Sequence, residues 1–364
     1  MQRAVAVIVW MLAACATRPP APAVPPWTAL TGTAVSIDAD ERALWDKAED
    51  QHAKLAQKNL LVTDPALAAY LQSVLAALQV EPIPAEAPRP AVYVIRSSDR
   101  TAISFANGEI LITTGALAVI QNEAQLAGML GHELGHVLAR HALIDARFAK
   151  TSRSTVERMQ LAREHEAYAD AYAVQAMSGA GYDPHEMPRM LQLIASNETE
   201  APQMEPFRSH PFTRERIQTL TEHMADAHGQ ALRTDAERYD HAIVDVLSVA
   251  AQAELDAGLL DHANASIARL LALRPESGRG YYLKGEYARL TEREGRRSPT
   301  VRDAYKRAVE LAPDDPEAVR ALGFLYRDDG DLAAATPLLD RYLKLAPDAA
   351  DRGLIERYLG RNHP

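Results

Sequence analysis

Two histidines and a glutamate in His132-Glu133-Leu134-Gly135-His136 are the side chains of this chain best spaced for chemistry. At about 3.6 residues per turn, positions i and i+4 share one helix face, so both imidazoles can reach a single metal ion. Zn²⁺ takes imidazole nitrogen and carboxylate oxygen, and a catalytic zinc keeps one position open for water. Glu133 lies just off the ligand face, where it can act on that water as a base without binding the metal. The spacing predicts a hydrolase that activates water on one zinc ion per chain.

Two imidazoles do not complete such a site. A third histidine six residues beyond the second would close a three-histidine set, but position 142 is Ala. His141 falls one residue short and is expected at the helix end, with its N–H near the last carbonyls. The next donors lie in Arg163-Glu164-His165-Glu166-Ala167-Tyr168-Ala169-Asp170. Glu166 and Asp170 are i and i+4 on one face of a later helix, from which Glu164 and His165 point away. Glu166 can supply the third ligand, and Asp170 can accept a hydrogen bond from a ligand imidazole and fix its tautomer.

The elements that must hold these groups follow from periodicity. Asn122 to His141 reads as one helix with an apolar face of Leu126, Met129, Leu130, Leu134, Val137 and Leu138. Gly128, Gly131 and Gly135 each cost roughly 1 kcal/mol there relative to Ala, which implies close approach by another backbone or by substrate. Helices are expected upstream over Asp38–Asn59 and from Pro65 to Leu78. Strands are expected at Ala91–Ile95 and across Ile103–Thr113, with Asn107-Gly108 as a hairpin turn. Downstream, Asp145–Arg158 reads as a loop, Leu161–Met177 and Pro184–Ser196 as helices, and Asn197–Pro211 as a loop near the site. Thr213–Ala225 closes the first domain as a helix.

Composition narrows the class. Apolar content of 47% and charged content of 24% are those of a globular protein. The net charge of −10, without clustered Lys or Arg, argues against nucleic acid as a partner. Arg3 followed by the apolar run Ala4–Leu12 has the dimensions of a signal-peptide core and is too short to span a bilayer. The single cysteine, Cys15, ends Leu12-Ala13-Ala14-Cys15, which resembles a bacterial lipoprotein signal. That resemblance implies removal of residues 1–14 and lipidation of Cys15, and the absence of Asp after it resembles lipoproteins sorted to the outer membrane. Thr17–Pro26, with five prolines, reads as an extended tether.

From about Asp240 the texture changes to paired helices. Leu-x-Pro endings recur at Pro275, Pro313 and Pro347, spaced 38 and then 34 residues apart. The second interval is the tetratricopeptide period, and the first can absorb an insertion around Glu294–Pro299. Asp351–Leu359 is expected to cap the array.

Taken together, these motifs resemble the M48 peptidases. The matching elements are His132-Glu133-x-x-His136, Glu166-x-x-x-Asp170 and Ser209-His210-Pro211 leading to Glu215-Arg216-Ile217, over about residues 40–225. With the export signal and the repeats, the layout is most like the envelope quality-control proteases of that family. The resemblance implies a helical zincin (gluzincin-type) domain with a small β-sheet, Glu133 as general base and Glu166 as third ligand. It also implies that His210 hydrogen-bonds the oxyanion or plugs the zinc at rest, with Arg216 supporting the same region. The strand Glu109-Ile110-Leu111-Ile112-Thr113 would be an edge that pairs with extended substrate. Its lead-in, Thr101-Ala102-Ile103-Ser104-Phe105-Ala106, departs from the family's usual Asn-Ala-Phe-Ala, which bears on subsite shape.

The expected whole is mainly α, an α+β protease domain followed by an α-solenoid of repeats. Its parts are a lipoprotein signal (1–14), a lipid anchor and Pro-rich tether (15–37), a zinc metalloprotease domain (38–235) and a repeat domain (240–364). It would sit in the bacterial envelope facing the periplasm and held to the membrane by Cys15. There it would cleave misfolded or mis-assembled envelope polypeptides and bind a protein partner through the repeats. The competing class is an envelope chaperone or adaptor with a latent protease site, acting through the repeats.

Overall fold

Asp38, Asp64, Asn122 and Ser154 each start a helix by accepting backbone N–H bonds from the first turn, from Glu41, from Ala66 and Leu67, from Gln125 and from Glu157 respectively. The computed structural model describes residues 24–33, 35–79, 82–195, 213–224, 232–292 and 298–361. Cys15, the expected signal and His210 lie outside the described residues. The first two caps open α1 (Ala39–Gln57) and α2 (Pro65–Leu78), where the sequence places them.

A three-stranded sheet follows: β1 (Ala91–Ile95), β2 (Ala102–Ser104) and β3 (Glu109–Thr113), in the order β1-β3-β2. β1 runs parallel to β3, and β2 turns back on β3 antiparallel through Gly108, whose φ of 87° suits glycine. This corrects the expectation for Glu109–Thr113. β3 is the central strand, with Ile110, Leu111, Ile112 and Thr113 all buried, so its backbone is already paired on both sides. The unbroken apolar run, with no polar alternation, is what a doubly covered strand requires. Among the described residues, β2 pairs with β3 alone.

Thr113 then caps the short α3 (Thr114–Val119), and Asn122 caps α4 (Glu123–Ala139), which carries the histidine motif. α5 (His141–Thr151), α6 (Thr155–Gly179), α7 (Glu186–Ala195) and α8 (Thr213–Met224) complete the arrangement around it. The expected loop at Asp145–Arg158 is instead the bulk of α5 and the start of α6, with only a short link at Ser152–Ser154 between them. α4 packs closely on α6, and the glycines explain how. A Cβ on Gly131 would stand 3.2 Å from the Ala173 Cα, and one on Gly135 3.1 Å from the Ala169 Cα. Replacing either glycine would push the two backbones apart.

The C-terminal part is built from consecutive helix pairs: α9 (Ala236–Asp256) with α10 (Leu260–Leu273), α11 (Gly278–Thr291) with α12 (Pro299–Leu311), and α13 (Pro316–Asp328) with α14 (Leu332–Leu345). A final α15 (Arg352–Tyr358) follows. Gly285 and Gly323 occupy corresponding places, the first against Tyr305 and the second against Leu339 of the paired helix.

The boundary expected between 235 and 240 is not a break in packing. One hydrophobic core runs from Trp27 through the sheet and α4 to Tyr239, Ile243, Leu247, Ala263 and Leu283. The end of the expected tether is also folded in. Trp27 is 1% exposed in a 3₁₀ turn (Trp27–Leu30), with the Arg140 guanidinium 4.3 Å over its ring. An indole of that area gains more from burial than from a free linker, so the folded body starts by Val24. Among the described residues, no helix is long and apolar enough to cross a membrane.

Candidate metal centre

α4 presents His132 and His136 on one face, and α6 brings Glu166 opposite them. The two Nε2 atoms are 3.1 Å apart, Glu166 Oε2 is 3.4 Å from His132 Nε2, and Glu166 Oε1 is 3.5 Å from His136 Nε2. Among the described residues this is the group of three donors that could share a metal ion. The spacing suits zinc: tetrahedral bonds of about 2.0–2.1 Å require neighbouring ligand atoms about 3.3 Å apart. Two neutral nitrogen donors and one carboxylate leave a fourth position for water. Glu133, 2% exposed, lines the same cavity as His136 and Glu166.

Behind the ligands stands a buried polar layer. His132 Nδ1 is 2.9 Å from Asp170 Oδ1, the contact expected from the i, i+4 spacing of Glu166 and Asp170. Arg216, from α8, grips both oxygens of Asp170, with Nη2–Oδ1 at 2.6 Å and Nε–Oδ2 at 2.8 Å. Its Nη1 lies 2.7 Å from Glu166 Oε2. Burial would raise the Asp170 carboxyl, but hydrogen bonds from His132 and Arg216 outweigh it and hold it below the usual carboxylate range. A charged Asp170 keeps the His132 proton on Nδ1 and its Nε2 lone pair toward the other donors.

His141 departs from expectation. In a continuous helix its side chain would lie about 140° around the axis from His136. The helix instead breaks at Arg140, which has a left-handed φ of 58°, and His141 begins α5 with its ring turned back. Its Nδ1 is 2.8 Å from His136 Nδ1, and His165 stacks on it with centroids 3.8 Å apart. Burial, and then the neighbouring His165, push His141 down to about 3, so it is neutral near pH 7. Linear spacing carries no signal for this contact, since a non-glycine residue at positive φ is uncommon. Glu41 was equally invisible: from α1 it pairs with Arg140 through Nε–Oε1 at 3.0 Å and Nη2–Oε2 at 2.6 Å.

A cavity of about 160 Å³ opens beside His136, between Ile103–Ala106 at the end of β2 and the α4–α5 junction. β2, rather than β3, borders the centre with a strand edge.

Comparison with known proteins finds similarity over the part of the chain that carries this geometry. The model of peptidase family M48 matches residues 65–156 and 149–224, the stretch that holds all three candidate ligands and Arg216. Over residues 65–224, less than half of the chain, the protein is similar to the M48 peptidases. The chain is 24% identical over 220 residues to the beta-barrel assembly-enhancing protease of Yersinia pestis, covering 51% of this chain and 44% of that protein. It is 24% identical over 165 residues to the protein of the same name from Escherichia coli K12, covering 37% and 34%. Mitochondrial metalloendopeptidase OMA1 of Arabidopsis thaliana is 26% identical over 122 residues, or 28% and 25%. The matches span less than half the length of these curated relatives.

Proposed function

We propose that this chain is a zinc-dependent endopeptidase of the bacterial envelope that cleaves misfolded or mis-assembled outer-membrane polypeptides. The observation that carries this reading is the convergence of His132, His136 and Glu166 from α4 and α6, with Glu133 on the same cavity. His132, His136 and Glu166 would hold the zinc. When bound, Zn²⁺ supplies Lewis acidity that lowers the pKa of a water to about 7 and polarises the scissile carbonyl.

The protein's own residues do the rest. Glu133 takes the water's proton as its oxygen adds to the peptide carbonyl carbon, then passes that proton to the leaving nitrogen as the C–N bond breaks. The products are a carboxylate and an amine. His210, by family resemblance, donates to the oxyanion, and Arg216 holds Glu166 and Asp170 in place. An extended substrate pairs with the β2 edge at Ala102–Ser104, so recognition reads backbone more than side chains and favours unfolded segments.

Lipidated Cys15 tethers the enzyme to the outer membrane, and the helix pairs from α9 onward form a tetratricopeptide solenoid that recruits a partner protein. The names of the relatives, which are beta-barrel assembly-enhancing proteases, support that substrate class.

The test compares wild type with Glu133→Gln on unfolded casein and on an envelope extract. Internal cleavage by wild type and none by the variant is expected. Equal rates would exclude the hydrolytic reading, and full rescue of an envelope phenotype by Glu133→Gln would favour the adaptor.

A further inference from the structure

We infer that His141 is a positioning residue for the metal centre, holding the His136 imidazole in the tautomer and orientation that a ligand needs. The inference rests on the zinc reading above. His136 has two ring nitrogens facing two different sets of atoms. Its Nε2 faces His132 Nε2 and Glu166, while its Nδ1 faces His141 Nδ1 at 2.8 Å. Two imidazole nitrogens at that distance share one proton. A His136 whose Nε2 lone pair points at the metal set must carry its proton on Nδ1, so His136 donates and His141 accepts.

His141 can do this because its ring has little freedom to turn. The left-handed break at Arg140 aims the ring back along α4, and that break is held from outside the motif. The Arg140 guanidinium is paired with buried Glu41, lies over Trp27 and donates to the Pro25 carbonyl at 3.2 Å. On its other side His141 stacks flat on His165, at an interplanar angle of 10°, and His165 Nδ1 is 3.3 Å from Asp145. The two ligand imidazoles are therefore supported unequally: His132 by the carboxylate of Asp170, His136 by an uncharged ring.

Metal affinity, measured by zinc-chelator competition, separates the outcomes. His141→Phe keeps the ring and its stack but removes the acceptor, and a 10- to 100-fold loss of affinity is expected. His141→Asn keeps an acceptor near the Nδ1 position and should stay within about threefold of wild type if that hydrogen bond is what matters. Unchanged affinity in His141→Phe would overturn the inference, as would an equal loss in both variants, which would mean packing alone. Should either variant fail to fold, ¹⁵N NMR of wild-type zinc protein decides: a scalar coupling between the two Nδ1 nuclei is expected, and its absence refutes the contact. If wild type itself holds no zinc, the proposed function fails and the His141 question does not arise from it.

Discussion

Asp170 Oδ1 accepts from His132 Nδ1 at 2.9 Å while both Asp170 oxygens are gripped by Arg216, so one buried carboxylate ties α4, α6 and α8 together at the candidate metal centre. Asp170→Asn would lose the negative charge that fixes the His132 tautomer and leave Arg216 its contact with Glu166. Zinc affinity should fall 10- to 100-fold, as expected when the outer partner of a ligand imidazole is removed. Chelator competition checks this, and hydrolysis should fall in step with metal occupancy.

Two buried groups should give the metal-free protein opposing pH dependences. His141 is pushed down to about 3, so between about 6.5 and 3 the unfolded chain binds a proton that the folded one refuses, and stability falls as pH drops through that window. Glu254, 1% exposed on α9, is pushed up to about 7 chiefly by burial, with Ser266 and Arg100 opposing. Between about 4.5 and 7 the folded state holds its proton more tightly, so this contribution is lost as pH rises. Glu254→Gln removes only the second dependence. Urea unfolding with a chelator present should show the variant gaining on wild type from pH 5 to pH 8, by an amount on the order of 2 kcal/mol.

Much of the centre was legible because its determinants are local. The i, i+4 pairs on α4 and α6, the capping residues and the glycines of α4 each act within a few residues or across one close contact. What escaped was set by distant partners. Arg140 adopts a left-handed conformation because Glu41 and Trp27, about a hundred residues upstream, hold its side chain, and that turn alone brings His141 to His136. The central place of β3 depends on a parallel pairing with β1 that no hairpin signal encodes, though the unbroken Ile110-Leu111-Ile112 run hinted at it. The spacing of the prolines carried no sign that α9 would share the core of the domain with the candidate centre.

Gly135→Ala tests whether the α4–α6 approach matters for chemistry. The added methyl would meet the Ala169 Cα at 3.1 Å and the Tyr172 Cβ at 3.2 Å, so α6 must give way by a few tenths of an ångström. Glu166 lies three residues before Ala169 on the same helix and would move with it. Overpacking of this kind costs roughly 1–3 kcal/mol, and zinc affinity should drop alongside stability. Thermal unfolding of metal-free and zinc-loaded protein gives both numbers; a stability loss with unchanged affinity would show that the centre tolerates the shift.

A polar coupling between the two halves of the chain runs through Glu123, the first residue of α4. Its buried carboxylate accepts from Tyr70 Oη at 2.8 Å, Tyr182 Oη at 2.6 Å and Arg238 Nη1 at 2.7 Å, the last from the first turns of α9. Next to it, the Tyr239 hydroxyl donates to the Leu117 carbonyl at 2.6 Å, and Arg269 of α10 donates to the carbonyls of Ala118 and Ile120 at 3.0 and 2.6 Å. These three hydrogen bonds to carbonyls at the end of α3, together with the apolar faces of α9 and α10, close one side of the domain that carries the candidate centre. A chain cut after Thr234 would expose that face and leave Glu123 without its cation, so it should not fold to a stable, metal-binding domain. Arg238→Ala makes the milder test. The guanidinium is half exposed, so screening trims the cost of stranding Glu123 to roughly 1–3 kcal/mol. Urea unfolding measures that loss, and double substitution with Glu123→Gln should recover part of it, because the carboxylate that needed the cation is gone.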